Sequence, residues 1–66
     1  MLTERIEKPL AYTTEDAARL INLSARKMDQ LIALGLIRSF KVGKSRRISA
    51  DALQEFIKQQ ERAAAR

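Results

Sequence analysis

Ser24–Arg47, SARKMDQLIALGLIRSFKVGKSRR, decides the fold. Seven cations, Arg26, Lys27, Arg38, Lys41, Lys44, Arg46 and Arg47, stand here against Asp29 alone, a net +6 in a chain whose total is +5. All of the excess positive charge therefore lies in one stretch. From Ala25 to Leu34 the apolar residues keep a helical spacing. At about 100° per residue, Met28, Leu31 and Ile32 gather on one side and Arg26, Gln30 and Ala33 on the other, with Lys27 and Asp29 on the flanks. Gly35 ends that helix, and Leu36-Ile37 are expected to return to the core. The period then drops to two. Phe40 and Val42 face one way and Ile48 resumes the apolar face after a turn, which predicts a two-stranded hairpin with the loop Gly43-Lys44-Ser45-Arg46. A helix with a polar outer face, followed at once by a basic hairpin, is how a protein presents a helix and a wing to nucleic acid.

Upstream, Thr13-Thr14-Glu15-Asp16 reads as a helix start in which Thr13 accepts a backbone amide and the acids favour the positive helix end. The helix opening at about Thr14 has Ala17, Leu20 and Ile21 as its apolar stripe, with Ala18 and Arg19 outside it. It ends at Asn22, a residue that tolerates the left-handed conformation. Leu23 then folds back and Ser24 caps the next helix. Helix, tight turn, capping serine, helix is the sequence form of a helix-turn-helix. Before it, Leu10 to Tyr12 is expected to be a short extended segment that covers the core or adds an edge strand, and residues 1–9 a flexible arm. Downstream, Ser49-Ala50-Asp51 opens a third helix with Leu53, Phe56 and Ile57 on one face, closing the core beneath the hairpin. Residues 59–66 form a helical or frayed tail, either a fraying end or a handle for another protein, which leaves 10–58 as the DNA-binding domain. The fold class expected is α+β, mostly α: a small winged helix-turn-helix with three helices and a two-stranded β-hairpin wing.

Sixty-six residues make one domain, near the size where a single core is only marginally stabilising. There is no Cys and no His. Disulfides, Cys/His zinc sites, thiol nucleophiles and histidine bases are thereby excluded, no cofactor or metal is called for, and a reducing, cytoplasmic setting fits. No apolar run reaches the roughly 18 residues of a membrane span, and Met1 to Pro9 lacks the apolar centre of a signal peptide. Glu15, Asp16, Asp51 and Glu55 are explained by helix starts and faces, so an enzyme is not expected. The 13 basic residues against 8 acidic ones, and a pI near 10.3, favour a polyanionic partner.

From Tyr12 to about Ile57 the chain resembles the excisionase (Xis/AlpA-like) family of small winged-helix DNA-binding proteins, related to the DNA-binding domain of MerR regulators. The resemblance rests on TTEDAARLINLS for the first helix and turn and on LIALGLIRSFKVGKSRRISADALQEFI for the helix, glycine, short strand, basic wing and closing helix. Three positions depart from the family pattern. Asn22 stands where glycine is usual, Asp29 where an aromatic or other larger residue is common, and Arg46 where a wing aromatic is frequent. The resemblance implies that Arg26, Lys27 and Gln30 lie in the recognition helix, Lys44, Ser45 and Arg46 in the wing, and that Arg47 matches a recurrent basic position. Thr14, beside amides suited to phosphate, and Ser24, at the start of the second helix, complete the candidate DNA-binding set. The role implied is a recombination directionality factor of a phage or mobile element. Such a protein binds repeated sites on double-stranded DNA cooperatively through self-association, bends the DNA and helps an integrase excise the element.

The chemistry of the outer face fits that role, since Arg and Gln one turn apart can make bidentate contacts to guanine and adenine edges. Asp29 repels phosphate unless it accepts from a cytosine amine or pairs with Arg26 or a neighbouring lysine. Taken singly, the helix face reads equally as an ordinary solvated surface, and the basic loop as a solvated tip. Their succession is what favours binding. A small winged-helix transcriptional regulator has the same residues, and a protein- or RNA-associated module with an incidental basic face is the reading from another class.

Overall fold

The computed structural model describes residues 9–65. The expected N-terminal arm lies, except for Pro9, outside the described residues. The order of elements is β1 (Ala11–Thr13), α1 (Thr14–Leu20), α2 (Ala25–Ala33), β2 (Phe40–Val42), β3 (Ser45–Ser49) and α3 (Ala50–Ala64). This is the winged helix-turn-helix expected, with the hairpin extended by a third strand. The sheet is antiparallel in the order β1-β3-β2, so β3 is central.

Every helix opens on a hydroxyl. Thr13 Oγ1 accepts from the Asp16 amide at 3.0 Å, Ser24 Oγ from Lys27 at 3.1 Å and Ser49 Oγ from Ala52 at 3.0 Å. Each cap satisfies one of the amides a helix start leaves without a partner, worth about 1 kcal/mol. Both ends of the helix-turn-helix pair close by the same motif. At α1 the Leu23 amide donates to the Ala18 carbonyl at 2.8 Å and Asn22 to Arg19 at 3.2 Å; at α2 Leu36 donates to Leu31 and Gly35 to Ile32, both at 3.0 Å. That double closure needs the first of the two donors in chain order to be left-handed, and Asn22 (φ 61°) and Gly35 (φ 78°) supply it. Asn22→Gly is therefore expected to leave stability within about 0.5 kcal/mol, whereas Asn22→Ala lowers it by about 1 kcal/mol, read as a midpoint shift in urea unfolding.

The core consists of Ala17, Ala18, Met28, Leu31, Ile37, Ile48, Ala52, Leu53 and Phe56, with Tyr12, Ile21, Leu23, Ile32 and Ile57 packed around it. Met28 and Ile48 are its largest fully buried side chains. Four expectations change at this level. Ala18, expected outside the stripe of α1, is buried, while Leu20, expected within it, is 59% exposed. The core direction runs between Ala17 and Ala18, close to Ile21, which turns Leu20 roughly 100° away from it. Of Leu36-Ile37 only Ile37 is buried; Leu36 is half exposed, because successive residues leaving the turn point to opposite sides. The hairpin loop is shorter than expected. Val42 pairs with Ser45, leaving Gly43 and Lys44 as a two-residue turn with Gly43 at φ 62°, and Ser45 and Arg46 are strand residues.

The fourth change concerns the faces of the wing. Phe40 pairs with Arg47, Lys41 with Arg46 and Val42 with Ser45. Directly paired residues share a face, so Phe40 and Val42 lie with Ser45 and Arg47, while Ile48 belongs to the face of Lys41 and Arg46. Ile48 and its partner Tyr12 are the part of the sheet that meets the core.

Candidate nucleic-acid interface

The residues proposed from the sequence occupy two surfaces joined by α1. α1 packs against α2 and also against β1 and β3, so it holds the second helix in fixed relation to the base of the wing. Thr13, the last residue of β1 and the cap of α1, pairs with Arg47 of β3. Thr14 therefore follows directly from the cross-strand row Thr13, Arg47, Phe40.

On α2, burial of Met28 and Leu31 turns Arg26, Lys27, Asp29, Gln30 and Ala33 to solvent. Arg26 and Gln30 stand one turn apart on the exposed face, as the helical spacing predicts. Ser24 is exposed, and its hydroxyl is engaged in capping. Among the described residues, Asp29 forms no ion pair, neither with Arg26 nor with a neighbouring lysine. The side chains of Arg26, Lys27 and Gln30 likewise make no hydrogen bond there. Among the described residues, α2 thus presents exposed polar side chains without side-chain partners.

In the wing, Lys44 sits at the turn, Ser45 and Arg46 are exposed and Arg47 is partly buried. Arg46 Nη1 donates to Ser39 Oγ at 2.6 Å, and Arg47 Nη1 to the Arg46 carbonyl at 3.1 Å. Arg38 is held at 2.6 Å by Glu55 of α3, an exposed pair that contributes little stability. Lys41 lies directly across from Arg46, and like charges opposite one another in a sheet destabilise it. Lys41 thus shares a face of the wing with Arg46, a placement the sequence reading did not give. The signal that finds it is the register, which follows from a two-residue turn at Gly43-Lys44. Between Asp29 and Asp51 the chain has no acidic residue at all, and Arg38, Lys41, Lys44, Arg46 and Arg47 fall in that interval.

Two helices joined by a left-handed turn, with a basic hairpin after the second, define a winged helix-turn-helix, a unit that sets its second helix in the major groove. The family model of the helix-turn-helix domain matches residues 11–61, and the chain belongs to that family. It is a domain of the DNA-binding class. No curated protein and no solved structure matches the chain. No described helix is long and apolar enough to cross a membrane, and no group of metal-ligating side chains occurs among the described residues.

Proposed function

We propose that the protein is an excisionase, a sequence-specific accessory factor that binds and bends attachment-site DNA so that an integrase excises a phage or mobile element. The observation that carries DNA recognition is the pairing of an exposed polar helix face with an acid-free basic wing, fixed to each other through α1. The excisionase role rests on the resemblance of the turn, wing and closing helix to that family. In this reading α2 enters the major groove, where Arg26 and Gln30 read base edges beside Lys27. Lys44, Ser45, Arg46 and Arg47 hold the backbone and the adjacent minor groove, and amides around Thr14 and Ser24 meet phosphate. Asp29 accepts from a cytosine amine within the site, and further copies bind neighbouring repeats.

The two groups of residues are expected to fail differently. Lys44→Ala or Arg46→Ala weakens binding to every duplex alike. Arg26→Ala or Gln30→Ala costs about 1–3 kcal/mol on the preferred site and little elsewhere. Competition between specific and random duplexes measures both, and equal loss on all sequences from both groups overturns the division. The role itself is tested by purified integrase acting on paired attachment sites with and without the protein. Excision that depends on the protein supports it; site-specific binding near a promoter with no effect on excision reassigns the chain as a transcriptional regulator.

A further inference from the structure

The outer face of the wing is apolar as well as basic. Val42 is 63% and Phe40 43% exposed, on a strand of three residues at the sheet edge. The register puts both beside Ser45 and Arg47 and away from the core, which takes Ile48 from the opposite face. Neither side chain is needed to close the core, and each leaves apolar surface in water at a protruding position. On the basis of the DNA-binding reading above, we propose that Phe40 and Val42 are a wedge, pressed against the deoxyribose wall and an opened base step of the minor groove while Arg47 meets the flanking phosphate.

Charge complementarity selects DNA as the occupant. On this face Arg47 lies directly across from Phe40 and Lys44 stands at the tip, while Lys41 and Arg46 project from the other face of the same hairpin. A protein partner burying Phe40 would have to bury or pair that guanidinium as well, whereas a groove wall offers sugar carbons for the apolar groups and phosphate for the cation. Apolar side chains inserted at a base step unstack it and kink the duplex, so the wedge supplies the bend that the proposed role requires. Its two neighbours divide the work: Ser45 is small enough not to hold the strand off the groove floor, and Gly43 sharpens the turn that carries Lys44.

The test uses the full chain with a duplex of about 30 base pairs chosen by wild-type footprinting and labelled at both ends, so that anisotropy gives affinity and energy transfer gives the bend. Phe40→Ala/Val42→Ala is expected to keep the wild-type urea midpoint, to bind about tenfold more weakly with an unchanged salt slope, and to lose most of the bend. The chain has no Trp, so Phe40→Trp places a single indole on this face, and its emission is expected to be quenched on adding the duplex. Absence of duplex binding by the wild type overturns both this proposal and the reading beneath it. Wild-type binding and bending, with the bend kept in the double variant or the indole unquenched, overturns the wedge alone. A variant that keeps the bend but loses concentration-dependent assembly on repeated sites assigns the face to a second copy and also overturns it.

Discussion

Affinity for duplex DNA is expected to fall about 500-fold when monovalent salt is raised from roughly 50 to roughly 200 mM. The estimate takes the five cations proposed to meet the duplex, Arg26, Lys27, Lys44, Arg46 and Arg47, each contributing about 0.9 to the slope of log affinity against log salt. A roughly fourfold rise in salt then removes close to three decades. The slope carries more information than the affinity. Lys44→Ala is expected to lower it by about 0.9, because one fewer counterion is released, whereas Gln30→Ala leaves it unchanged while weakening the preferred site. Lys44 makes a sharper probe than Arg46, since Arg46 is a strand residue tethered to Ser39. Binding that ignores salt would remove the electrostatic basis of the proposed interface, however tight that binding is.

The second large effect is on folding. Met28→Ala is expected to cost about 2–5 kcal/mol, because the side chain is fully buried and its loss leaves a cavity beneath the second helix. At about 0.05–0.15 kcal/mol per residue, a chain of this length has roughly 3–10 kcal/mol in total, so the substitution removes about a fifth of the stability or more. Its partner measurement is Arg26→Ala on the opposite face of α2, expected within about 0.5 kcal/mol of wild type. Urea unfolding followed by helical circular dichroism reads both. A cost for Met28→Ala below about 1 kcal/mol would mean that α2 is not seated on the core as described. The contrast matters for function as well: DNA binding lost through Met28 comes with unfolding, whereas DNA binding lost through Arg26 does not.

What could be read from the sequence was what is decided locally. Thr13, Ser24 and Ser49 announce their helices because a capping hydroxyl acts within three residues of itself. Asn22 and Gly35 announce the ends because a left-handed turn excludes most other residues. The outward set on α2 followed from Met28, Leu31 and Ile32, whose spacing fixes the opposite face once a single helix is assumed. What could not be read depended on a distant partner. Whether Ala18 or Leu20 faces inward is settled by where α2 and β3 lie, and in a helix of seven residues the apolar pattern is too brief to decide it. Phe40, Val42 and Ile48 look like one apolar face until the cross-strand pairing is counted; any even-numbered loop after Val42, the two-residue turn at Gly43-Lys44 included, puts Ile48 on the face of Lys41 and sends Phe40 and Val42 to the other side. The same count reveals Lys41 opposite Arg46. Loop length was the missing quantity for the partners and not for the faces: four residues and two give the same faces, but only two set Lys41 against Arg46.

The sheet order also governs when the molecule becomes whole. β3 is the central strand, so β1 waits for a partner made much later: Tyr12 pairs only with Ile48, and the Ala50 amide closes on the Leu10 carbonyl at 2.9 Å. During synthesis, the helix-turn-helix segment emerges with its capping residues in place yet with Ile48, Ala52, Leu53 and Phe56 still missing from its core. Closing so long a loop is the slow, entropically opposed step in a chain this small. The pairing that completes the sheet also aligns the start of α1 with the base of the wing. On the proposed reading, the second helix and the wing are therefore brought into register by one late pairing rather than one after the other.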